Sequence, residues 1–541
     1  MNASAMAAGR RRWWALGALA VSGLVVGLDL TVLNLALPTL AVSLHITDGG
    51  LLQWFVVSYS LVFAAMLLPA GLLGDRYGRK RLLLVALVVF GVASLACAYA
   101  GSAGALIAAR AVLGLGAALI VPLSVAVIPV LFSEEERQRA ITLVMGMTMV
   151  AFPLGPILGG WLLTRFWWGS VFLINVPVIV VALVAVAFLM PESRSARRAT
   201  IDYAGVLLSS AGLTVLSYGL IEAGQNGWGD RFDIGAMIVG VLVLAAFVAW
   251  ERVVARRGRR PLVDLSLFGS RGFTWGTILA TLVSFAMFGL LFTVPTYYQA
   301  IVGVDALGAG VRLLPMVGGL IIGAVLSDRL ARALGSKLTV AWGFVLLSAG
   351  LLMGALTTVG SGYGYAALWV TVMGAGLGFA LPGAMDAALG ALSAERSGVG
   401  SALIMALRQV GGTFGVAILG SILSTAYRSG LDGIALPARL GAVVRDSVSE
   451  GVAVAHEIHS AALFATVRAA FVHGMDVMLA VCCGVAIAGI VLAVVFLPRR
   501  RAAVEPADTV APPEPAGAGP GGVAATGGEG RESVQPATGG R

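Results

Sequence analysis

Charge is what this chain has least of: Asp, Glu, Lys and Arg make up 12% of its 541 residues, about half the share usual in a soluble domain. A water-facing surface cannot be covered with so few charges. With 59% apolar residues and a mean hydropathy of +0.94, the composition argues against the row of soluble domains that the length alone would allow. Cysteine is as scarce. Cys97, Cys482 and Cys483 all fall in apolar runs without disulfide or zinc spacing, so they read as small packing residues. The four histidines, His45, His456, His459 and His473, lie in or beside loops of one side, and no metal is expected. Glycine-rich phosphate loops are missing from any strand-to-helix context, so no enzyme signature is found, and neither ATP nor another cofactor is expected. A cleavable signal is also missing: the first apolar run continues through Asp29 and Asn34 to Pro38 and reads as a span.

What is abundant is long apolar runs. Crossing roughly 30 Å of hydrocarbon takes about 20 helical residues. Fourteen stretches qualify, near 15–40, 51–73, 82–100, 104–130, 140–163, 170–190, 203–222, 234–250, 273–298, 307–327, 338–358, 364–391, 400–425 and 475–497. The net charge of +9 alone would suit nucleic acid, but its position decides otherwise. Basic residues crowd alternate loops, from Arg10–Arg12 and Arg76–Arg81 to Arg499–Arg501, as they do on the cytoplasmic side of membrane proteins. Both termini are therefore expected in the cytoplasm and no nucleic-acid partner is expected. Lys80 and Lys337 are the two lysines among 36 basic residues, which with abundant Ala, Gly and Val points to a high-GC bacterial genome. Two stretches interrupt the short loops. Residues 426–472 mix apolar and charged positions and suggest an amphipathic helix on the outer surface, and residues 502–541, rich in Pro, Gly, Ala and Glu, read as a disordered tail.

Three motifs carry more than topology. Gly71-Leu-Leu-Gly74-Asp75-Arg76-Tyr-Gly78-Arg79-Lys80-Arg81 ends span two, with small residues where helices can approach and a carboxylate among basic residues that can latch a neighbouring helix N-terminus. Its echo, Ala324-Val-Leu-Ser327-Asp328-Arg329, ends span ten on the same side, as a duplicated six-helix unit would give if spans seven and eight are inserted. Span five holds Gly155-Pro156-Ile-Leu-Gly159-Gly160, a proline kink on a small-residue face. Span one reads Leu28-Asp29-Leu-Thr31-Val-Leu-Asn34-Leu-Ala36-Leu-Pro38.

These motifs resemble the major facilitator superfamily, in particular its 14-span drug:proton antiporters, over roughly residues 13–497. The first is similar to the family signature G-x-L-a-D-R-x-G-R-K-x, with Leu73 where a small residue is usual. The second is similar to the antiporter signature g-x-x-x-G-P-x-x-G-G, with Ala151 in place of its first glycine. Phe172-Leu-Ile-Asn175-Val-Pro177, Tyr297-Tyr298-Gln299, Gly310-Val-Arg312-Leu-Leu-Pro315 and Arg408-Gln409-Val-Gly411-Gly412 match as well, as does Leu106/Arg110/Gly114/Gly116 in span four. The resemblance implies an all-α integral membrane protein: six helices in 13–190, two inserted helices in 203–250, and six helices in 273–497. It also implies a gate at Gly71, Gly74, Asp75, Arg76, Gly78, Arg79, Asp328 and Arg329, and an export-type motif at Gly155, Pro156, Gly159 and Gly160.

Ionisable groups inside lipid are costly and point to function. Asp29, Arg110, Arg312, Asp386 and Arg408 are such groups. Counting about 1.5 Å per residue, Asp29 and Arg110 share one depth towards the outer side, and Asp386 and Arg408 share another towards the inner side. Two pairs are therefore predicted. Burial disfavours a carboxylate's charged form and a nearby arginine favours it, so alternating exposure would suit a proton carrier. Asp29, Asp386 and Arg110 are taken as the proton-coupling set, the plainer reading being ion pairs that hold helices together. Asn34, Tyr59, Phe288, Phe292, Tyr298, Gln299 and Arg408 are candidates for a cavity taking flat lipophilic or cationic cargo. Export of drugs against protons by a monomer in a bacterial cell membrane is the function implied. The alternatives are an importer, against which the span-five motif argues, and a non-transporting sensor, against which the retained intramembrane charges argue.

Overall fold

The computed structural model describes residues 3–498 apart from short breaks at 45, 47–48, 133, 194–201, 260 and 433–436, so the expected tail at 502–541 lies outside the described residues. Backbone groups in hydrocarbon have only each other as partners, so a spanning chain must be helical or a closed barrel. Here it is helical, with no strand among the described residues. The helices are α1 (Ala3–Ser43), α2 (Gly49–Tyr77), α3 (Arg79–Ala98), α4 (Ala103–Leu131), α5 (Glu134–Arg165), α6 (Ser170–Leu173), α7 (Asn175–Leu189), α8 (Tyr203–Asn226), α9 (Arg231–Arg256), α10 (Arg271–Thr296), α11 (Ala306–Arg312), α12 (Leu314–Leu334), α13 (Ser336–Gly354), α14 (Tyr363–Leu389), α15 (Ala394–Ser429), α16 (Ala438–Asp446), α17 (Val448–Glu457) and α18 (Ala461–Phe496). Among the described residues, thirteen helical segments are long and apolar enough to cross a membrane, and α5 covers the stretch assigned to the fifth span.

Local chemistry sets the ends. Ser102, Asp202, Asp230, Ser270, Asp305 and Ser460 each accept a backbone N–H from the first turn of the helix they precede. Gly78, at φ 105°, makes the sharp reversal between α2 and α3 in a conformation that side-chain-bearing residues rarely adopt. A π-helical turn, Tyr297–Ile301, begins two residues after Pro295.

The stretch between the last two spans is shorter and more ordered than the sequence suggests. The helix α15 runs on to Ser429 and α18 starts at Ala461, with α16 and α17 between them. Tyr427 donates to the Val444 carbonyl at 2.7 Å, and Arg428 pairs with Asp446 at 2.8 Å and donates to Gln225 on α8. The polar residues that depress hydropathy there are the ones that tie the two short helices down.

Glycine explains the closest packing. Gly319 and Gly323 on α12 pack on Thr371 and Ala375 of α14, and Gly374 and Gly378 on α14 pack on Met316 and Leu320 of α12, each pair at the i, i+4 spacing that lets helix backbones approach. A Cβ on Gly323 would reach the Ala375 carbonyl and one on Gly378 the Leu320 carbonyl, neither of which a side-chain rotation can clear. In the span-two motif the two glycines differ. Gly74 sits against Leu123 of α4, whereas Gly71 has nothing within 4 Å, so the close approach expected at Gly71 is absent. Replacing Gly378 by leucine is expected to cost about 1–3 kcal/mol or more through overpacking, while Gly71→Ala should leave the thermal midpoint in detergent unchanged. Equal midpoints for the two variants would contradict this packing.

Candidate functional site

The helices α1, α2 and α4 bring together a polar cluster in an otherwise apolar interior. Asp29 is 3% exposed, Arg110 1% and Tyr59 0%. The Arg110 guanidinium donates to Asp29 Oδ2 at 2.5 Å, its Nε donates to the Phe55 carbonyl at 3.0 Å, and its Cζ lies 4.4 Å from the centre of the Tyr59 ring. The pair predicted from depth alone is therefore formed. Gly114, one turn past Arg110, lies so close to the Tyr59 carbonyl that only glycine fits, which brings α4 against α2 at this level. Asn175 at the start of α7 reaches Asp29 as well and donates to Ser94 Oγ at 3.1 Å. The cluster thus satisfies the charges that burial would otherwise make prohibitive. Sequence reasoning noted Asn175 only as part of a motif; its role as a partner of Asp29 depends on a contact between helices.

The second predicted pair is not formed. Asp386 is exposed and accepts from Ser336 Oγ at 2.7 Å, across the α13–α14 contact. Arg408 is half-buried and donates to Ser284 Oγ at 3.1 Å, with its other nitrogen 3.7 Å from Met385 Sδ. Neighbouring residues on a helix point about 100° apart. Arg408 therefore meets the face of α14 that carries Met385, while Asp386 looks towards α13.

The span-five motif sits between two neighbours. Gly155 and Gly159 face Thr31 and Val32 of α1. Gly160 faces Ala306 and Leu307, where a Cβ would lie 2.7 Å from the Leu307 backbone, and the Pro156 carbonyl abuts Gly310. Gln299 donates to the Leu35 carbonyl at 2.8 Å, and Gly420 of α15 packs on Gln53 of α2. These contacts between the first seven helices and the later ones lie at the helix ends away from the basic loops. Gln53 is fully buried with no hydrogen-bond partner for its amide among the described residues. Nothing in its local sequence marks it.

At the opposite end, the span-two motif ties its own neighbourhood. Arg79 donates to the Ala126 carbonyl at 2.8 Å and Lys80 to the Ala187 carbonyl at 2.7 Å, while Arg76, Asp328 and Arg329 are exposed. The side chain of Asp75 lies outside the described residues. The remaining cavity candidates scatter. Asn34 donates to the Leu30 carbonyl of its own helix, Phe288 packs under Gly412, and Tyr298 is buried beside Tyr297. Phe292 lines a pocket at the end away from the basic loops, together with Pro38, Leu52, Tyr427, Ser447 and Phe471. No group of three or more metal-ligating side chains occurs among the described residues.

Comparison with known proteins extends this picture. The Major Facilitator Superfamily profile matches residues 19–416. The tetracenomycin C resistance and export protein of Streptomyces glaucescens is 34% identical over 416 residues, 77% of this chain and 76% of that one. The multidrug efflux pump LfrA of Mycolicibacterium smegmatis is 32% identical over 472 residues, 86% of this chain and 92% of that one. Among solved structures, a bacterial homologue of the human lysosomal transporter Spinster superposes with a TM-score of 0.64 at 16% identity, covering 90% of this chain and 98% of the other. A D-xylose–proton symporter superposes with 0.60 at 14% identity, covering 90% and 98%. At such low identity these two speak for the fold alone.

Removing one member of a buried ion pair leaves the other uncompensated. Arg110→Ala is expected to cost about 3–5 kcal/mol of stability, and the Asp29→Ala/Arg110→Ala double variant should recover part of it. A double-mutant cycle on unfolding in detergent checks this, and additive effects of the two substitutions would contradict it.

Proposed function

The chain belongs to the major facilitator superfamily and is a multi-pass membrane transporter, and on that premise we propose that it exports lipophilic, often cationic compounds, antibiotics among them, in exchange for protons. The observation that carries this reading is the Asp29–Arg110 pair, fully buried on α1 and α4. A structural tie alone would be as stable with apolar residues of the same size, so a costly ion pair in a bundle interior suits a group whose charge must change. The printed descriptions of the relatives, drug and antibiotic resistance or efflux, support the choice of cargo class.

In this reading residues 13–190 and 273–497 are two six-helix halves that rock about the central cargo path, with 203–250 inserted between them. The contacts of Gly160, Gly310, Gln299 and Gln53 close the outer end. When that end opens, an external proton reaches Asp29 and neutralises it. Arg110, still held by the Phe55 carbonyl and the Tyr59 ring, is then free of its counter-ion. Re-closure returns the pair and discharges the proton inward. Asp386, exposed near the inner end of α14, is the second candidate for proton transfer. The gradient is the energy source, so no ATP or cofactor is required, the monomer suffices, and both termini lie in the cytoplasm of a bacterial cell.

Ethidium efflux from energised cells should be abolished by a protonophore and reduced at least tenfold in Asp29→Asn at equal expression. Efflux that survives the protonophore would sink proton coupling, and full efflux in Asp29→Asn would remove Asp29 from the coupling path.

A further inference from the structure

The cluster around Asp29 does not account for every buried carboxyl group. Glu251, near the basic-loop end of α9, is 0% exposed, and among the described residues no arginine or lysine forms an ion pair with it. Its Oε2 accepts the Val263 N–H at 2.9 Å, which folds the stretch after α9 back against the helix. Its Oε1 has no hydrogen-bond donor among the described residues. What it faces is a second carboxyl group. The point where a methyl would stand on Gly205 lies 2.6 Å from Glu251 Oε1 and 2.8 Å from Asp202 Oδ2, so both oxygens border the space that glycine leaves open.

Two ionised carboxylates do not share such a position, because like charges raise the cost of the second ionisation. The surroundings decide which one keeps the proton. Asp202 caps α8 by accepting the Gly205 N–H at 2.9 Å, and it accepts the Trp250 indole N–H at 2.9 Å and 3.0 Å. Both Asp202 oxygens are therefore already engaged as acceptors. Glu251 has one donor and complete burial, which favour its neutral form. The charged groups nearby do not alter this. From α8, Asp202 is the titratable group that acts on Glu251. On α9 and in the stretch that follows, Arg252, Arg256, Arg257 and Arg259 are exposed. Asp264, at the end of that stretch, is engaged elsewhere: partial burial pushes its carboxyl up, but hydrogen bonds from Ser266 and Arg396 hold it below the usual carboxylate range.

We propose that Asp202 and Glu251 form a proton-binding site in which Glu251 carries the proton and donates it from Oε1 to Asp202 Oδ2. The proton comes from cytoplasmic water and returns to it. Its occupancy has a mechanical consequence. With the proton bound, Glu251 stays in place and holds Val263, so residues 261–264 remain docked on α9. With the proton lost, two negative charges repel across Gly205 and the stretch is released. Asp264 anchors that stretch to Arg396 at the start of α15, at 3.0 Å, and α15 is the helix that carries Arg408. The site thus connects proton occupancy at the end of the α8–α9 pair with a helix of the transport core, and it stands whether or not Asp29 couples export.

Infrared difference spectra of the full-length protein in lipid nanodiscs, with carboxyl-labelled glutamate incorporated, test the site directly. The expected result is a protonated-carboxyl band at neutral pH that shifts with the glutamate label, vanishes in Glu251→Gln and is displaced in Asp202→Asn. Absence of any such band in the unsubstituted protein overturns the proposal whatever the variants do, and so does a band that Glu251→Gln leaves untouched. Amide hydrogen exchange gives the second reading. Once corrected for intrinsic rates, protection over 262–264 should fall at least tenfold as pH rises through the titration of that band in the unsubstituted protein. In Glu251→Gln, which mimics the protonated form, it should stay constant. Protection independent of pH in the unsubstituted protein would contradict the latch.

Discussion

A carboxylate and a guanidinium placed where water is excluded must satisfy each other, and the first part of this bundle is arranged so that they can. Asp29 meets Arg110 because Gly114 brings α4 against α2 at that level, and the Phe55 carbonyl and the Tyr59 ring take up what remains of the guanidinium. Asn175 reaches Asp29 from α7. Helices α1, α2, α4 and α7 are therefore positioned by one polar contact inside an apolar interior. Moving any of them exposes a charge without a partner. That makes the cluster rigid while the bundle is closed around it, and sensitive to any opening that admits water or a proton.

Backbone proximity is the second constraint, and it acts on both sides of the molecule. In hydrocarbon, apolar side chains gain nothing from burial against one another that lipid would not give, so small residues and close contact drive association. The four glycines between α12 and α14 and the Gly155–Gly160 run against α1 and α11 follow this rule. The latter also brings Pro156 and Gly310 together at the end away from the basic loops. A motif that looks like a kink signal when read along the chain is, in three dimensions, a joint between early and late helices.

Depth was legible in the sequence and direction was not. Counting residues from helix ends placed Asp29 level with Arg110, and the two do meet. The same arithmetic paired Asp386 with Arg408, but the position around the helix axis decided otherwise, because Met385 rather than Asp386 faces Arg408. Hydropathy likewise drew the eighth span to an end at residue 250, one position short of Glu251, since a single carboxyl lowers an average whether or not it is buried. It suggested one amphipathic helix in the stretch after α15, where two short helices, α16 and α17, are anchored by polar residues. The helices and their order follow from composition and spacing, whereas the partners of buried polar groups depend on contacts between helices far apart in the chain.

The α8–α9 pair shows why such groups repay attention. It touches the rest through α8, on α2 and α15, and through the chain that follows α9 to Asp264 and Arg396. Exchange of drug for protons remains the central claim, and the most direct measurement follows the proton itself. Liposomes containing the purified protein and a luminal pH dye, loaded with ethidium and diluted into drug-free buffer, should acidify inside as the drug leaves. Loss of drug at the same rate with no change in luminal pH would contradict the account.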